Sequence, residues 1–318
     1  MEKNPTKIHF LVQNLRHSGS RMPEKNDGNP KNLALYERCR RFKVMVDRLD
    51  PDVILAQEAR PGWLKSFDMW LSDRYDMVWK ERGFAGVPGE DECLPILWKR
   101  EKYDLLASGS FWLSETPELP TKSYDSPGPR IMTWVCLQDK ETGVAFYCFS
   151  NHFGFGQTVR IESQKQINRV LNSLPDGTYA FVGGDYNAYY RSEKYTEFMD
   201  FSWDSVIDLR AMAMNLKDTV TFGGMKSGHN LAYGQGRPLP EVNDVNPQID
   251  FLMAKPHPHM KVEYYGFDYT TYDDEADGVP AGNISDHWGL EVKVELDAEE
   301  DYSVHQHPHD YEDRPIYF

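Results

Sequence analysis

The sequence predicts an α/β fold in which strands pack as two sheets with helices outside. Three observations point there. Short strand-like runs recur along the chain, with only a few helical patterns between them. The runs 52–57 (DVILAQ) and 179–183 (YAFVG) read as strands buried on both faces. The segment around Ile131, Thr133, Val135 and Leu137 alternates in the manner of an antiparallel strand with one covered face.

Taken in order, 7–14 (KIHFLVQN) is a strand. A helix follows at 32–49, where Leu35, Cys39, Phe42, Val46 and Leu49 fall at spacings of four, three, four and three. Asp50-Pro51 stops it, and 52–57 forms the next strand. The stretch 63–71 reads as a second helix and 75–79 as a strand, before a Gly-rich loop at 82–92. Strand text continues at 93–98, 103–114, 130–138 and 144–151. Residues 158–174 form an amphipathic helix through Ile167, Val170, Leu171 and Leu174. Pro175-Asp176-Gly177 turns the chain into the strand at 179–183. A loop rich in Gly, Asn and Pro spans 223–247, with strands at 248–254 and 288–296. The expected division is a catalytic domain over 1–296 and an acidic, His-containing tail over 297–318, which is almost free of aliphatic residues.

Composition narrows the function. A chain of 318 residues that is 40% hydrophobic and 13% aromatic is globular rather than disordered. No apolar run approaches the roughly 20 residues that span a bilayer, and the N-terminus lacks a secretory pattern. Cys39, Cys93, Cys136 and Cys148 have no CxxC spacing and sit mostly in apolar text. They read as buried free thiols, and with the missing leader they point to the cytoplasm. A formal charge of −15 disfavours nonspecific binding to phosphate backbones, though not a nuclease with a local basic cleft or a borrowed metal cation.

Polar residues recur at strand ends: Asn14, Glu58, His152, Asp185 with Asn187, Asp250, and Asp286 with His287. Any one has a structural explanation, such as a turn cap or an Asx turn. Eight such residues at six strand ends is the pattern of a site held by a rigid sheet.

The ordered set QNLR (13–16), AQE (56–58), SNHF (150–153), GGDYN (183–187), QIDF (248–251) and SDHWG (285–289) resembles the successive motifs of the endonuclease/exonuclease/phosphatase superfamily. That superfamily includes pancreatic-type deoxyribonucleases, apurinic/apyrimidinic endonucleases, sphingomyelinases and inositol polyphosphate phosphatases. Order and spacing match across roughly residues 7–296. FWLSETPE (111–118) and PRIMTW (129–134) look like a further branch found in many bacterial genomes.

The resemblance implies a four-layer α/β/β/α sandwich with two mostly antiparallel mixed sheets. It implies a metal-dependent phosphoesterase, most of all a phosphodiesterase or nuclease, with nucleic acid favoured over a small molecule as substrate. Glu58 matches the metal-ligand glutamate, with Asp286 and Asn14 beside it, and such oxygen donors suit Mg²⁺ or Mn²⁺. Asn14 also matches the residue that steadies the glutamate and the phosphate. Asp185 matches the aspartate that activates water. Asn187 would donate to a phosphoryl oxygen if the strand continues to it. His287, paired with Asp250, and His152 would stabilise the transition state. Glu92 looks like the carboxylate paired with His152, though Asp91 and Glu90 stand beside it. Arg130 is a candidate phosphate contact on guanidinium geometry, or else a surface arginine before a strand. A basic path from Arg16, Arg21, Lys25, Arg82, Arg130 and Arg191 would carry a nucleic acid if these residues converge. The departures are Gln13 before the asparagine, Tyr186 within GDYN, and an apolar Phe153-Gly154-Phe155-Gly156 after the histidine.

Three alternatives stand beside this reading: a phosphatase or phosphodiesterase for a small molecule, a metal- and phosphate-binding module without turnover, and a glycosidase. A glycosidase built on Glu58 and Asp185 leaves Asn187 and both histidines without a role. His257 with His259, and His305, His307 and His309, read as solvated loop and tail residues rather than metal ligands.

Overall fold

The computed structural model describes residues 4–17, 35–83, 91–202, 204–217, 248–270 and 284–297. The expected 223–247 loop, nearly all of the tail, Arg21, Lys25 and Glu90 lie outside them. The chain runs β1 (Thr6–Asn14), α1 (Leu35–Leu49), β2 (Val53–Gln57), α2 (Pro61–Leu71), β3 (Tyr75–Val78), β4 (Ile96–Lys99), β5 (Tyr103–Trp112) and β6 (Ile131–Asp139). It continues through β7 (Ala145–His152), α3 (Gln157–Ser173), β8 (Tyr179–Asp185), α4 (Glu193–Met199), β9 (Ile207–Asp208), β10 (Asp250–Ala254), β11 (Met260–Asp268) and β12 (Gly289–Leu296).

The strands form two six-stranded sheets, ordered β11-β12-β1-β2-β4-β3 and β5-β6-β7-β8-β10-β9. Side-chain alternation sorts each strand between two interfaces. In β1, Ile8, Phe10 and Val12 face the other sheet, where they meet Val135, Phe146, Phe181 and Leu252. Leu11 faces the opposite way, onto Phe42 and Val46 of α1 and Trp63 and Phe67 of α2. On the far side, β7 and β8 turn Tyr147, Phe149 and Val182 toward Ile167 and Leu171 of α3 and Phe198 of α4. These three apolar interfaces divide four layers, α/β/β/α.

Both sheets share one plan. Each has a central parallel pair, β1/β2 in one and β7/β8 in the other, flanked by antiparallel neighbours. A parallel pair needs a crossover, which α1 and α3 supply. The crossovers bring the carboxyl ends of β1, β2, β7 and β8 to one edge of the sandwich. Antiparallel β10 and β12 begin at that same edge, with Asp250 opposite Asp185 in register. The polar strand-end residues therefore gather there because of topology.

Several boundaries differ from expectation. Residues 93–95 do not extend β4, because Cys93 is held by Ala59 and bridges Glu81 outside the ladder. α4, β9 and β11 were not anticipated from the pattern.

Candidate active site

Three facing pairs line the shared edge, each with one residue from either sheet. At the centre, Asn14 ends β1 and Asp185 ends β8, with Asn14 Nδ2 donating to Asp185 Oδ2 at 3.0 Å. On one flank, Glu58 follows β2 and His152 ends β7, with Oε1 and Nε2 3.9 Å apart. On the other, His287 Nδ1 meets Asp250 Oδ2 at 2.7 Å. These partners occupy equivalent strands of the two sheets, so the site is built across the sandwich.

The central pair is fixed by matching turns. Asn14 Oδ1 accepts the Arg16 N–H at 2.8 Å, and Asp185 Oδ1 accepts the Asn187 N–H at 2.8 Å. Arg16 and Asn187 take left-handed φ values of 49° and 50°. Both are Asx turns, in which a short polar side chain replaces a backbone acceptor. The strand consequently stops at Asp185, and Asn187 does not continue its face. The Asn187 amide donates to the Phe153 carbonyl at 2.7 Å and so braces the loop after His152.

Glu58 also has a left-handed backbone, with φ 59°. Its carboxylate accepts from Asn14 Nδ2 at 3.1 Å and from the His17 N–H at 2.9 Å. Burial pushes its pKa up, but the hydrogen bonds from the His17 N–H and Asn14 Nδ2 hold the carboxyl well below the usual range. Asp185 moves the other way: burial, then Asp250, raises it well above the carboxylate range. His287 is opposed by burial yet raised to about 10 by Asp250, so it is a cation at neutral pH. His152 is depressed by burial and by the charge of Arg130, so it is neutral. Its Nδ1 has no hydrogen-bond partner among the described residues.

Asp286 does not diverge cleanly from its neighbour. Its Oδ2 accepts from Arg16 at 3.2 Å, and its Oδ1 lies 3.9 Å from His287 Nε2. The expected Glu92–His152 pair is corrected by the structure: Glu92 instead forms an ion pair with Arg82, and lies 3.7 Å from Arg60 and 3.9 Å from His17. The loop that was expected to deliver Glu92 to His152 is tied to Ala59 by backbone hydrogen bonds, which aim the side chain at the arginines. Arg130 is buried, not a surface residue. Of the expected basic path, Arg16 is engaged by Asp286, Arg82 by Glu92, and Arg191 packs 5.2 Å from the Tyr190 ring centroid.

One positioning residue was not anticipated. Arg38 of α1 is fully buried and donates to the carbonyls of Leu15, Arg16 and Ile284. It ties the loop after β1 to the segment before β12. Its only signal was a charge inside an otherwise apolar helix face.

Among the described residues carboxylates outnumber cations at this edge. Asp185, Asp250 and Asp286 meet two cations within 4 Å, His287 and Arg16, and Glu58 has neither within that distance. Uncompensated buried charge is costly, so this donor set fits a divalent cation. Asp185, Asp250 and His287 place one donor atom each within 4.8 Å of the others. The Asp250–His287 hydrogen bond already engages two of those three. Glu58 and Asp286 could offer further hard oxygen donors, whereas Asn14 has both ends of its amide committed to protein partners.

No family model and no curated protein matches the chain. Its likeness is to solved structures. An endonuclease/exonuclease/phosphatase family protein from Bacteroides thetaiotaomicron superposes with a TM-score of 0.74 at 26% identity, covering 92% of this chain and 99% of that one. A mannosyl-6-phosphatase of the same organism superposes with a TM-score of 0.72 at 25% identity, over 90% of this chain and 99% of that chain. D. rerio TDP2, complexed with a single-strand DNA product, shares the fold at 13% identity and a TM-score of 0.63, over 91% of this chain and 99% of that one.

Proposed function

For a chain that shares its fold with endonuclease/exonuclease/phosphatase family proteins, we propose a divalent-metal-dependent hydrolase of phosphate esters in which water attacks phosphorus in line. The observation that carries the reading is geometric: Asp185 Oδ2 stands 3.7 Å from His152 Nε2 and 3.9 Å from His287 Nε2, and His287 is hydrogen-bonded to Asp250 at 2.7 Å. Asp185 accepts the proton of the attacking water, because a carboxylate of raised pKa is the stronger base. Asn14 Nδ2 fixes its orientation by donating to Oδ2. His287 presents Nε2 3.9 Å from Asp185 Oδ2, where it meets the charge that develops on the phosphoryl oxygens. His152, with Nε2 3.7 Å from the same oxygen, would donate as a neutral imidazole to a phosphoryl oxygen. Glu58 and Asp286 would hold Mg²⁺ or Mn²⁺, which when bound neutralises non-bridging oxygen charge and eases departure of the leaving oxygen.

The substrate we propose is a small phosphate ester rather than a long polynucleotide. Arg16 and Arg82 are engaged within the site, and the chain carries a formal charge of −15, so a continuous basic track is not supported. The likeness at 25% identity to a mannosyl-6-phosphatase points the same way. A phosphodiesterase acting on a short single strand is the second reading. Phe155 and Tyr189, exposed on loops that follow His152 and Asn187, favour it because such rings can stack bases.

The test is hydrolysis of p-nitrophenyl phosphate and bis(p-nitrophenyl) phosphate with Mg²⁺, with Mn²⁺ and with chelator. Turnover is expected to require metal, and Asp185→Ala and His287→Ala are each expected to lower kcat by about 10²–10³-fold. Sugar phosphates and single-stranded DNA then separate the two substrate readings. Metal binding with no turnover of any ester would replace the enzyme with a binding module.

A further inference from the structure

The cleft extends one strand beyond the Glu58–His152 pair, and its charge changes sign there. Beside β2, the backbone of Arg82 pairs with Glu92, and Cys93 pairs with Ala59. Beside β7, Met132 of β6 stands opposite Asn151, which brings Arg130, two residues upstream, alongside the end of β7 just past His152. Arg82 and Arg130 are only 7% and 6% exposed. The one described carboxylate in ion-pair contact with this group is Glu92, which serves Arg82 and Arg60. Among the described residues no carboxylate makes an ion-pair contact with Arg130, although the charges of Glu92, Glu58 and Asp185 act on it. Its Nε lies 3.5 Å from Ser126 Oγ, and its Nη1 has no hydrogen-bond partner. Among the described residues Arg82 Nε and Nη1 likewise have no hydrogen-bond partner.

The surroundings hold Arg130 in place. Its backbone N–H donates to Ser123 Oγ at 2.7 Å. Asp125, in the same loop, caps α3 through the Val159 N–H at 2.7 Å. The exposed ring of Phe155 lies 6.0 Å from the guanidinium and forms an outer wall. A buried guanidinium with spare donors is costly unless an anion completes it, and its planar fork suits phosphate or carboxylate. His287 and Asp250 stand on the opposite side of the central pair, whereas Arg130 lies at the end of β6, on the far side of His152 from Asp185.

We propose that Arg130 and Arg82 form a second anion subsite, and that the substrate is a phosphate ester carrying another anionic group, carboxylate or phosphate. Strand spacing puts that group about 5–10 Å from the reacting phosphorus, one to two strands away. The inference rests on the phosphoesterase reading above and names its substrate class. It also gives Phe155 a role, as the wall against which the linker between the two anions packs.

The experiment compares phenyl phosphate with 4-carboxyphenyl phosphate and benzene-1,4-diyl bisphosphate, in the wild type, Arg130→Gln and Arg130→Lys. The wild type is expected to favour the two-anion esters in kcat/KM. Arg130→Gln should shrink that preference by about 10–100-fold, the worth of a hydrogen bond to a charged group, and Arg130→Lys should restore part of it. No preference in the wild type, or an equal loss on all three esters, would overturn the subsite and place Arg130 on the reacting phosphate. A separate arm needs no turnover: sulfate is titrated in chelator, where the carboxylates of the catalytic edge repel it. A rise in Tm that Arg130→Gln abolishes supports the subsite, and no rise in the wild type rejects it. If none of the esters is hydrolysed, the phosphoesterase reading fails and the sulfate arm alone decides the subsite.

Discussion

Glu58 and Asn187 carry the clearest residue-scale evidence of function. Neither is glycine, yet both hold positive φ values, 59° and 50°. Such conformations cost of order 1 kcal/mol and persist where surrounding contacts over-determine them. Here the contacts are Asn14 and the His17 N–H on Glu58, and Asp185 and the Phe153 carbonyl on Asn187. At the opposite end of the sandwich, His257 has a structural role with a pH signature. It is buried against the Tyr179 ring at 3.9 Å, and its Nδ1 accepts the His259 N–H. Burial lowers its pKa from 6.5 to about 4. Neutral His257 therefore contributes stability that is complete above its unfolded pKa of about 6.5. That contribution is lost as pH falls from there toward 4, because the unfolded chain takes up the proton first. The Tm of the wild type should fall between pH 7 and pH 5, and His257→Gln should flatten that slope. An unchanged slope in the variant would assign the pH dependence to another group.

The most constrained element is β8, because it carries Asp185 and lies against the other sheet. A Cβ on Gly183 would stand 2.6 Å from Leu55 and 3.1 Å from both Leu252 and Val12. Gly183→Ala thus overpacks the sheet interface and is expected to cost about 1–3 kcal/mol, read as a shifted urea midpoint with activity retained in the folded fraction. Gly184 differs: its φ is 152°, and a Cβ there would meet the Asn151 carbonyl at 2.0 Å. Backbone cannot step aside as a leucine methyl can, so Gly184→Ala should displace Asp185 and lose activity even where protein remains folded. The apolar run that makes β8 was plain in the sequence, as was that of β2, because a strand covered on both faces has no polar positions to blur it. β11 was not. A register shift between Val262 and Tyr264 breaks its alternation, and Tyr264 and Tyr265 interrupt the apolar text. The polar strand ends were legible for a related reason, since each borders an apolar run. Partners supplied by loops were not: nothing in DECLPILW says that Glu92 turns to Arg82 instead of His152.

On the scale of the whole molecule, the site exists only while the two sheets are docked. The contacts of Asn14 with Asp185, Glu58 with His152, and His287 with Asp250 all cross from one sheet to the other. Beneath them, Gln57 Nε2 donates to Ser150 Oγ, and Ser150 Oγ donates to the Ala56 carbonyl, again between sheets. Deeper still, the Phe10 and Phe181 rings meet across the interface with centroids 4.8 Å apart. No half of the sandwich holds a complete set of groups, so partial opening cannot leave a working site. The loss of activity in urea should then share its midpoint with the loss of tryptophan fluorescence. Phe181→Ala, far from any polar group of the site, should cost about 3–5 kcal/mol and move both midpoints down together. Activity that disappears well before the fluorescence transition, in either protein, would mean that the edge opens while the core stays closed. The catalytic pairs would then be held by their loops and not by the docking of the sheets.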